Sequence, residues 1–303
     1  MMSRADDWRG LYPFRSHEIM LGGHRYHYLD EGDGPVLLLV HGNPTWSFYW
    51  REVVAALRDR YRLIVPDHIG CGLSDKPSAA DYSYRLAQRI DDLGRLIDRL
   101  DLRRITLVAH DWGGAIGMGA AVAAEQRFAR FVLLNTAAFR AATCPLRIRV
   151  CRTPVLGRVA VQGLNLFARL ALRMAVCHSQ RMTPAVKAGL LAPYDRWAHR
   201  IAVHRFVTDI PLRPAHPSYA ALRDVETGLA RFRNHPVCLI WGMRDWCFTP
   251  AFLERFIKFF PEAEVHRLDD AGHYVVEDAY EQIVPILDRF LQSHPLGAET
   301  KPP

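Results

Sequence analysis

The sequence predicts an α/β protein: a mostly parallel sheet with helices on both faces, interrupted by an inserted helical cap. Three observations carry this. Short apolar runs alternate with longer segments of helical spacing over the first 138 residues. The alternation stops between 139 and 225, where seven prolines break the helical patterns and no run reads as a buried strand. It resumes from 226 onward. Strands alternating with helices build a parallel sheet, and a strandless stretch inside that sheet is most simply an insertion. The expected division is a core of residues 1–138 and 226–303 and a cap of residues 139–225.

The elements follow in order. Residues 18–21 and 25–29 flank Gly22-Gly23 and predict a hairpin. The unbroken apolar run 36–40 predicts a strand buried on both faces. Helical spacing covers 50–57, and 61–65 is a strand closed by Pro66-Asp67. Residues 86–100 predict an amphipathic helix with Ile90, Leu93, Ile97 and Leu100 on its apolar side. The strand 105–109 runs straight into Asp111-Trp112-Gly113-Gly114, a small-residue helix follows over 115–124, and 131–134 is the next strand. Beyond the insertion the sequence predicts a strand at 237–241, a helix at 251–259, a strand at 264–268 and a helix at 283–291. The tail, 297–303, is expected to fray.

Composition narrows the class. Hydrophobic residues make up 50% and charged residues 23%, which is ordinary for a globular chain and excludes disorder and collagen-like structure. No run of eighteen apolar residues is free of charge and proline, so no spanning helix is expected. The first fifteen residues carry Arg4, Asp6, Asp7 and Arg9 with no apolar run, so no secretory signal is expected. The six cysteines form no C-x-x-C pair and no zinc spacing, which points to a reduced cytoplasmic compartment and to no metal.

The net charge of +7 is unevenly spread. Residues 140–223 carry fourteen lysines and arginines against two acids, Asp195 and Asp209, a surplus of twelve that leaves the rest at −5. Such a surface suits lipid headgroups or a protein partner, giving peripheral membrane contact through the basic cap. The bland alternative is an arginine-rich composition. No nucleic-acid partner is expected.

The chemistry centres on Asp111. A strand, a sharp turn and a glycine-rich helix with a nucleophile at the tip form a nucleophile elbow, usually Gly-x-nucleophile-x-Gly. Here the turn reads Ala109-His110-Asp111-Trp112-Gly113, with alanine in place of the first glycine. A carboxylate at the tip attacks an electrophilic carbon and becomes an enzyme ester; the alternative is a helix cap. His273, in Asp270-Ala271-Gly272-His273-Tyr274 after the strand 264–268, is the candidate base. Asp245, in Gly242-Met243-Arg244-Asp245-Trp246 after the strand 237–241, is the candidate orienting acid, with a salt bridge to Arg244 as its alternative. Asp269 and Asp270 sit too near His273 in sequence. For developing negative charge, Asn43 in His41-Gly42-Asn43-Pro44 offers a side-chain amide, and Trp112 offers backbone and indole N–H groups.

His41-Gly42-Asn43-Pro44-Thr45-Trp46-Ser47-Phe48, Asp67-His68-Ile69-Gly70-Cys71-Gly72-Leu73-Ser74-Asp75-Lys76-Pro77 and His110-Asp111-Trp112-Gly113-Gly114 resemble haloalkane dehalogenases of the α/β-hydrolase superfamily. The resemblance covers nearly the whole chain outside the insertion. It implies an α/β-hydrolase fold, an Asp111 nucleophile, halide-type leaving groups held by Asn43 and Trp112, a His273–Asp245 pair, and no cofactor. Ile210-Pro211-Leu212, His216-Pro217-Ser218-Tyr219, residues 241–250 and residues 270–279 resemble one branch most, the β-lactone decarboxylases of bacterial long-chain olefin biosynthesis. That branch implies conversion of a hydrophobic dialkyl β-lactone to an alkene and carbon dioxide, beside a β-lactone synthetase and other enzymes of the route. Apolar side chains between 155 and 176, interspersed with arginines, suit a cap lining a tunnel for alkyl chains. The alternatives are a haloalkane dehalogenase using the same five residues, an epoxide hydrolase needing two cap tyrosines such as Tyr194 and Tyr219, and a non-catalytic scaffold.

Overall fold

The computed structural model describes residues 4–296. The Gly22-Gly23 turn closes an antiparallel hairpin of β1 (Ser16–Leu21) and β2 (His24–Glu31), and both glycines have positive φ. The remaining strands are β3 (Val36–Val40), β4 (Arg62–Pro66), β5 (Ile105–Asp111), β6 (Phe128–Thr136), β7 (Val237–Gly242) and β8 (Glu264–Leu268). They form one eight-stranded sheet in the order β1-β2-β4-β3-β5-β6-β7-β8. The β2–β4 pair is also antiparallel, and every pair from β4 through β3 to β8 is parallel.

Side-chain alternation along the strands sorts the core into two halves. Leu38, Val40, Leu107, Ala109, Leu133 and Leu239 pack on one face, with Leu93, Ile116 and Phe256 from the covering helices. Leu37, Leu39, Val108, Val132, Leu134 and Ile240 pack on the other, with Val53, Leu57, Ile283 and Leu287. Those helices are α1 (Arg51–Leu57), α2 (Leu86–Arg99), α3 (Trp112–Ala123), and two that lie beyond the insertion.

The insertion is helical and contains no strand. It holds α4 (Leu146–Cys151), α5 (Leu156–Arg158) running into a π-helical turn (Val159–Gly163), α6 (Leu166–Met174), α7 (Pro184–Leu191) and α8 (Ile201–Thr208). Proline works here as a start signal: Thr183 caps α7 and Pro184 opens it. α9 (Tyr219–Gly228) leaves the cap to pack on α2 and α3, and its Leu222 and Val225 join the sheet core. After β7 comes α10 (Pro250–Phe259), and after β8 comes α11 (Val275–Ser293).

α11 differs from the expectation of a helix over 283–291. It begins eight residues earlier and is broken at Ala279, whose φ of −148° and ψ of 29° are not helical. That break, with Pro285 beyond it, splits the apolar periodicity, so only the later half reads as a helix in the sequence. The 297–303 tail lies outside the described residues. No helix among the described residues is long and apolar enough to cross a membrane.

Candidate active site

The turn from β5 into α3 places the Asp111 carboxylate. Asp111 has φ 52° and ψ −125°, a strained backbone for a residue with a side chain. Its surroundings hold it there. The Thr136 hydroxyl donates a short hydrogen bond to the Asp111 carbonyl. Gly113 lets α3 approach β3 so closely that an added methyl would meet the Val40 carbonyl. Gly42 leaves room for the carboxylate itself, since a side chain there would run into it.

The two carboxylate oxygens of Asp111 have different surroundings. Oδ1 accepts the backbone N–H of Asn43 at 2.5 Å. Oδ2 faces Nε2 of His273 at 3.8 Å. Burial pushes the pKa of Asp111 up; the charge of His273 and the backbone N–H groups of Asn43 and Trp112 oppose the rise without cancelling it. Oδ1 is the oxygen held by the Asn43 N–H, and Oδ2 is the one that faces the His273 imidazole.

His273 is oriented from its other nitrogen. Nδ1 lies 2.9 Å from Oδ2 of Asp245. Burial alone would lower the His273 pKa, but the charge and hydrogen bond of Asp245, with Asp111 added, hold it above the ordinary imidazole value. Asp245 is anchored in turn: its Oδ1 accepts the Cys247 backbone N–H at 2.6 Å and its Oδ2 accepts the Asn135 side-chain amide at 3.0 Å. Arg244, the alternative partner for Asp245, instead binds Asp270 at 2.6 Å on the surface.

The structure therefore brings Asp111, His273 and Asp245 together in one chain of contacts. Sequence reasoning missed three supports. Asn135, at the end of β6 with φ 34°, bridges to β7: its amide oxygen accepts the Gly242 N–H at 2.7 Å and its nitrogen donates to the Gly242 carbonyl and to Asp245. Thr136 holds the elbow. His110 donates from Nε2 to the His273 carbonyl at 2.8 Å and stacks on Tyr49. Asparagine at a strand end was the one local signal, because it tolerates left-handed backbone.

Asn43 and Trp112 both line the cavity above Asp111. The Asn43 donor engaged with Asp111 is the backbone N–H, whereas its side-chain amide reaches the Val203 carbonyl of α8 at 3.3 Å. Among the described residues the Trp112 indole N–H has no hydrogen-bond partner, and its ring packs on Phe206 of α8 at 5.4 Å between centroids.

The cavity is about 540 Å³ and mostly apolar. Phe139, Ile148, Val161, Leu170, Met174 and Phe248 wall it, with Asp111 and His273 at its base. That is room for an alkyl-bearing ligand with its reactive carbon over one carboxylate. The end of α6 closes the cap onto the loops that carry Asp245 and His273: the Trp246 indole donates to the Met174 carbonyl at 2.8 Å and the Tyr274 N–H to the Ala175 carbonyl at 2.7 Å. Tyr194 and Tyr219 do not line the cavity; Tyr194 is buried against the Thr45 carbonyl and Tyr219 accepts from Arg140. Among the described residues one cluster has metal-ligand spacing, Cys238, Glu264 and His266, and it lies outside the cavity on β7 and β8.

The chain is similar to known proteins. Residues 35–280 match the α/β hydrolase fold family. A cis-3-alkyl-4-alkyloxetan-2-one decarboxylase of Shewanella oneidensis is 42% identical over 297 residues, covering 96% of this chain and 93% of that one. Haloalkane dehalogenase 2 of Mycobacterium tuberculosis is 36% identical, covering 92% of this chain and 96% of that one. The haloalkane dehalogenase DatA from Agrobacterium tumefaciens C58 superposes with a TM-score of 0.83 at 24% identity, over 93% of this chain and 97% of that one, a likeness of fold.

Proposed function

This chain is an enzyme that belongs to the α/β-hydrolase fold family, and we propose that within that family it is a β-lactone decarboxylase. Its substrate is a cis-3,4-dialkyl oxetan-2-one with long alkyl chains, and its products are an alkene and carbon dioxide. The observation that carries the reading is the Asp111 carboxylate, its Oδ2 facing His273, beneath an apolar cavity of about 540 Å³, in a chain 42% identical to a decarboxylase of that substrate class.

In the mechanism we propose, Asp111 Oδ2 attacks the ring carbon bearing the lactone oxygen. The new C–O bond forms as the ring C–O bond breaks, and the ring oxygen leaves as a carboxylate. The bond from that carboxylate to the neighbouring alkyl-bearing carbon then breaks, its electrons form the double bond, and the ester C–O bond to Asp111 breaks with its electrons returning to Oδ2. Carbon dioxide and alkene depart and the Asp111 carboxylate is restored. Inversion followed by anti elimination turns a cis lactone into a cis alkene. Asn43 and Trp112 hold the released carboxylate, and the His273 imidazolium, sustained by Asp245, balances charge beside it. No water is consumed, so His273 has no water to activate in this cycle.

The same five residues serve a haloalkane dehalogenase, and the 36% relative makes that the second reading. Placing an epoxide hydrolase here lacks the cap tyrosines at the cavity. A cytoplasmic location suits the chain, since all six cysteines are unpaired and three of them, Cys144, Cys151 and Cys247, line the cavity. The deciding experiment incubates the protein with a synthetic cis-dialkyl β-lactone and, separately, a long-chain haloalkane. Cis alkene by mass spectrometry, lost in Asp111→Asn, supports the reading. Halide release without alkene sinks it in favour of the dehalogenase.

A further inference from the structure

Apolar exposure on this protein is concentrated in one place. Twelve large apolar side chains are more than a third exposed among the described residues, and eight of them fall within residues 146–170. Leu146, Val155, Leu156 and Leu164 are between 60% and 76% exposed. Val150, Leu166 and Leu170 are both exposed and part of the cavity wall, so they form its rim. These residues lie on α4, α5, the π-helical turn and α6 or directly beside them, and those elements touch one another in sequence.

The charge of the same stretch is equally one-sided. Residues 146–173 contain six arginines and no acid. None of the six forms an ion pair among the described residues, although arginines elsewhere regularly do, as with Arg51–Glu277, Arg62–Asp30 and Arg140–Glu226. Arg147 lies over the Trp246 ring at the cavity, Arg158 lies over Trp197, and Arg152 binds the carbonyls of Val207 and Ile210. Arg149, Arg169 and Arg173 are exposed and have no carboxylate partner among the described residues. Exposed apolar side chains ringed by uncompensated arginines suit a surface that is greasy inside and anionic outside, which is a lipid leaflet. A folded protein partner would need a matching acidic, apolar face, whereas the leaflet supplies both properties without specific shape.

We propose that α4 to α6 of the cap dock on an anionic lipid surface, placing the rim of the cavity against the bilayer so that an apolar substrate passes into it without crossing water. The docking stands on exposure and charge alone. The delivery of substrate rests on the decarboxylase reading.

The test is flotation of the purified protein, without substrate, with phosphatidylcholine vesicles and with vesicles containing roughly a third phosphatidylglycerol, at about 50 mM and about 500 mM salt. The protein is expected to float with the anionic vesicles at low salt only. Arg149→Gln/Arg169→Gln/Arg173→Gln is expected to lower partitioning about a hundredfold, roughly fivefold per arginine near an anionic surface. Leu146→Ser/Val155→Ser/Leu156→Ser is expected to weaken it as well. None of these six residues lines the cavity, so both variants are expected to turn over a short, water-soluble β-lactone at the unaltered rate. Failure to float with anionic vesicles overturns docking, as does equal flotation by both variants. A dimer in solution that the same substitutions dissociate, with no flotation, assigns the patch to a second copy of the chain and also overturns it. Flotation without alkene formation would leave docking intact and refute the decarboxylase reading alone.

Discussion

Asp111 shows what a single position is asked to bear. Its backbone sits in a region that disfavours side chains, at an expense of order 1–3 kcal/mol. In return one carboxylate oxygen is tied to the Asn43 N–H and the other is left facing His273. The three residues that the structure brings together were legible as candidates because chemistry dictates their type: a carboxylate at an elbow, an imidazole after a late strand, an acid after the strand before it. Asn135 was not legible. Its amide ties β6 to β7 and then to Asp245, a relation between residues 107 and 110 positions apart with no local pattern. Asn135→Ala is expected to let Asp245 and the His273 ring drift, lowering kcat about tenfold to a hundredfold, as misplacement by about 1 Å does. Imidazole NMR should show the His273 pKa falling in the same variant. An unchanged His273 titration would mean that Asn135 merely braces the strands.

Among the elements, α3 is the one on which the site depends. Its small-residue composition is weak as a helix signal, but it permits the approach to β3 and β6 that aims the elbow. A Cβ at Gly113 would meet backbone, which has no rotamer to move. Gly113→Ala is therefore expected to destabilise the fold by about 2–3 kcal/mol and to reduce turnover. Urea unfolding measures the first; a midpoint equal to the parent's would show that α3 does not pack as described. α11 teaches the complementary lesson. Its first turns follow directly from the His273 loop, and Asp278 accepts the N–H groups of Gly272, Cys177 and His178, tying that loop to the chain leaving α6. The sequence concealed this half of the helix because the Ala279 break and Pro285 interrupt its period.

The whole molecule buries histidines that stay neutral. His41 accepts the His68 N–H on Nε2 at 3.2 Å and donates from Nδ1 to the Gly42 carbonyl at 2.8 Å. Burial lowers its pKa to about 4, and burial also lowers His68 and His110. The unfolded chain, with histidines near 6.5, then binds more protons than the folded chain as pH falls. Stability is lost from about pH 6.5 down to about pH 4, with about 3 kcal/mol from His41 alone. His273 acts in the opposite sense, since its raised pKa contributes stability that is complete below about 6.5 and disappears as pH rises through the folded value. The His273 contribution is already complete in the acid window, so the melting temperature is expected to fall across pH 6.5 to 4 as His41, His68 and His110 resist protonation. A flat profile in calorimetry over that window would contradict the neutral assignment.

The sequence by itself determined the order of strands and helices along the chain, the strandless stretch between β6 and β7, and the residue types able to form an enzyme ester. Alternation, turn residues and nucleophile position are local properties, written within a few residues of one another. Only the tertiary structure decided which donor meets Asp111, that the Asn135 amide joins His273 in holding Asp245, and that Arg149, Arg169 and Arg173 have no carboxylate partner among the described residues. Those facts depend on which distant segments the sheet brings side by side, and hydrogen-bond geometry has no counterpart along the chain.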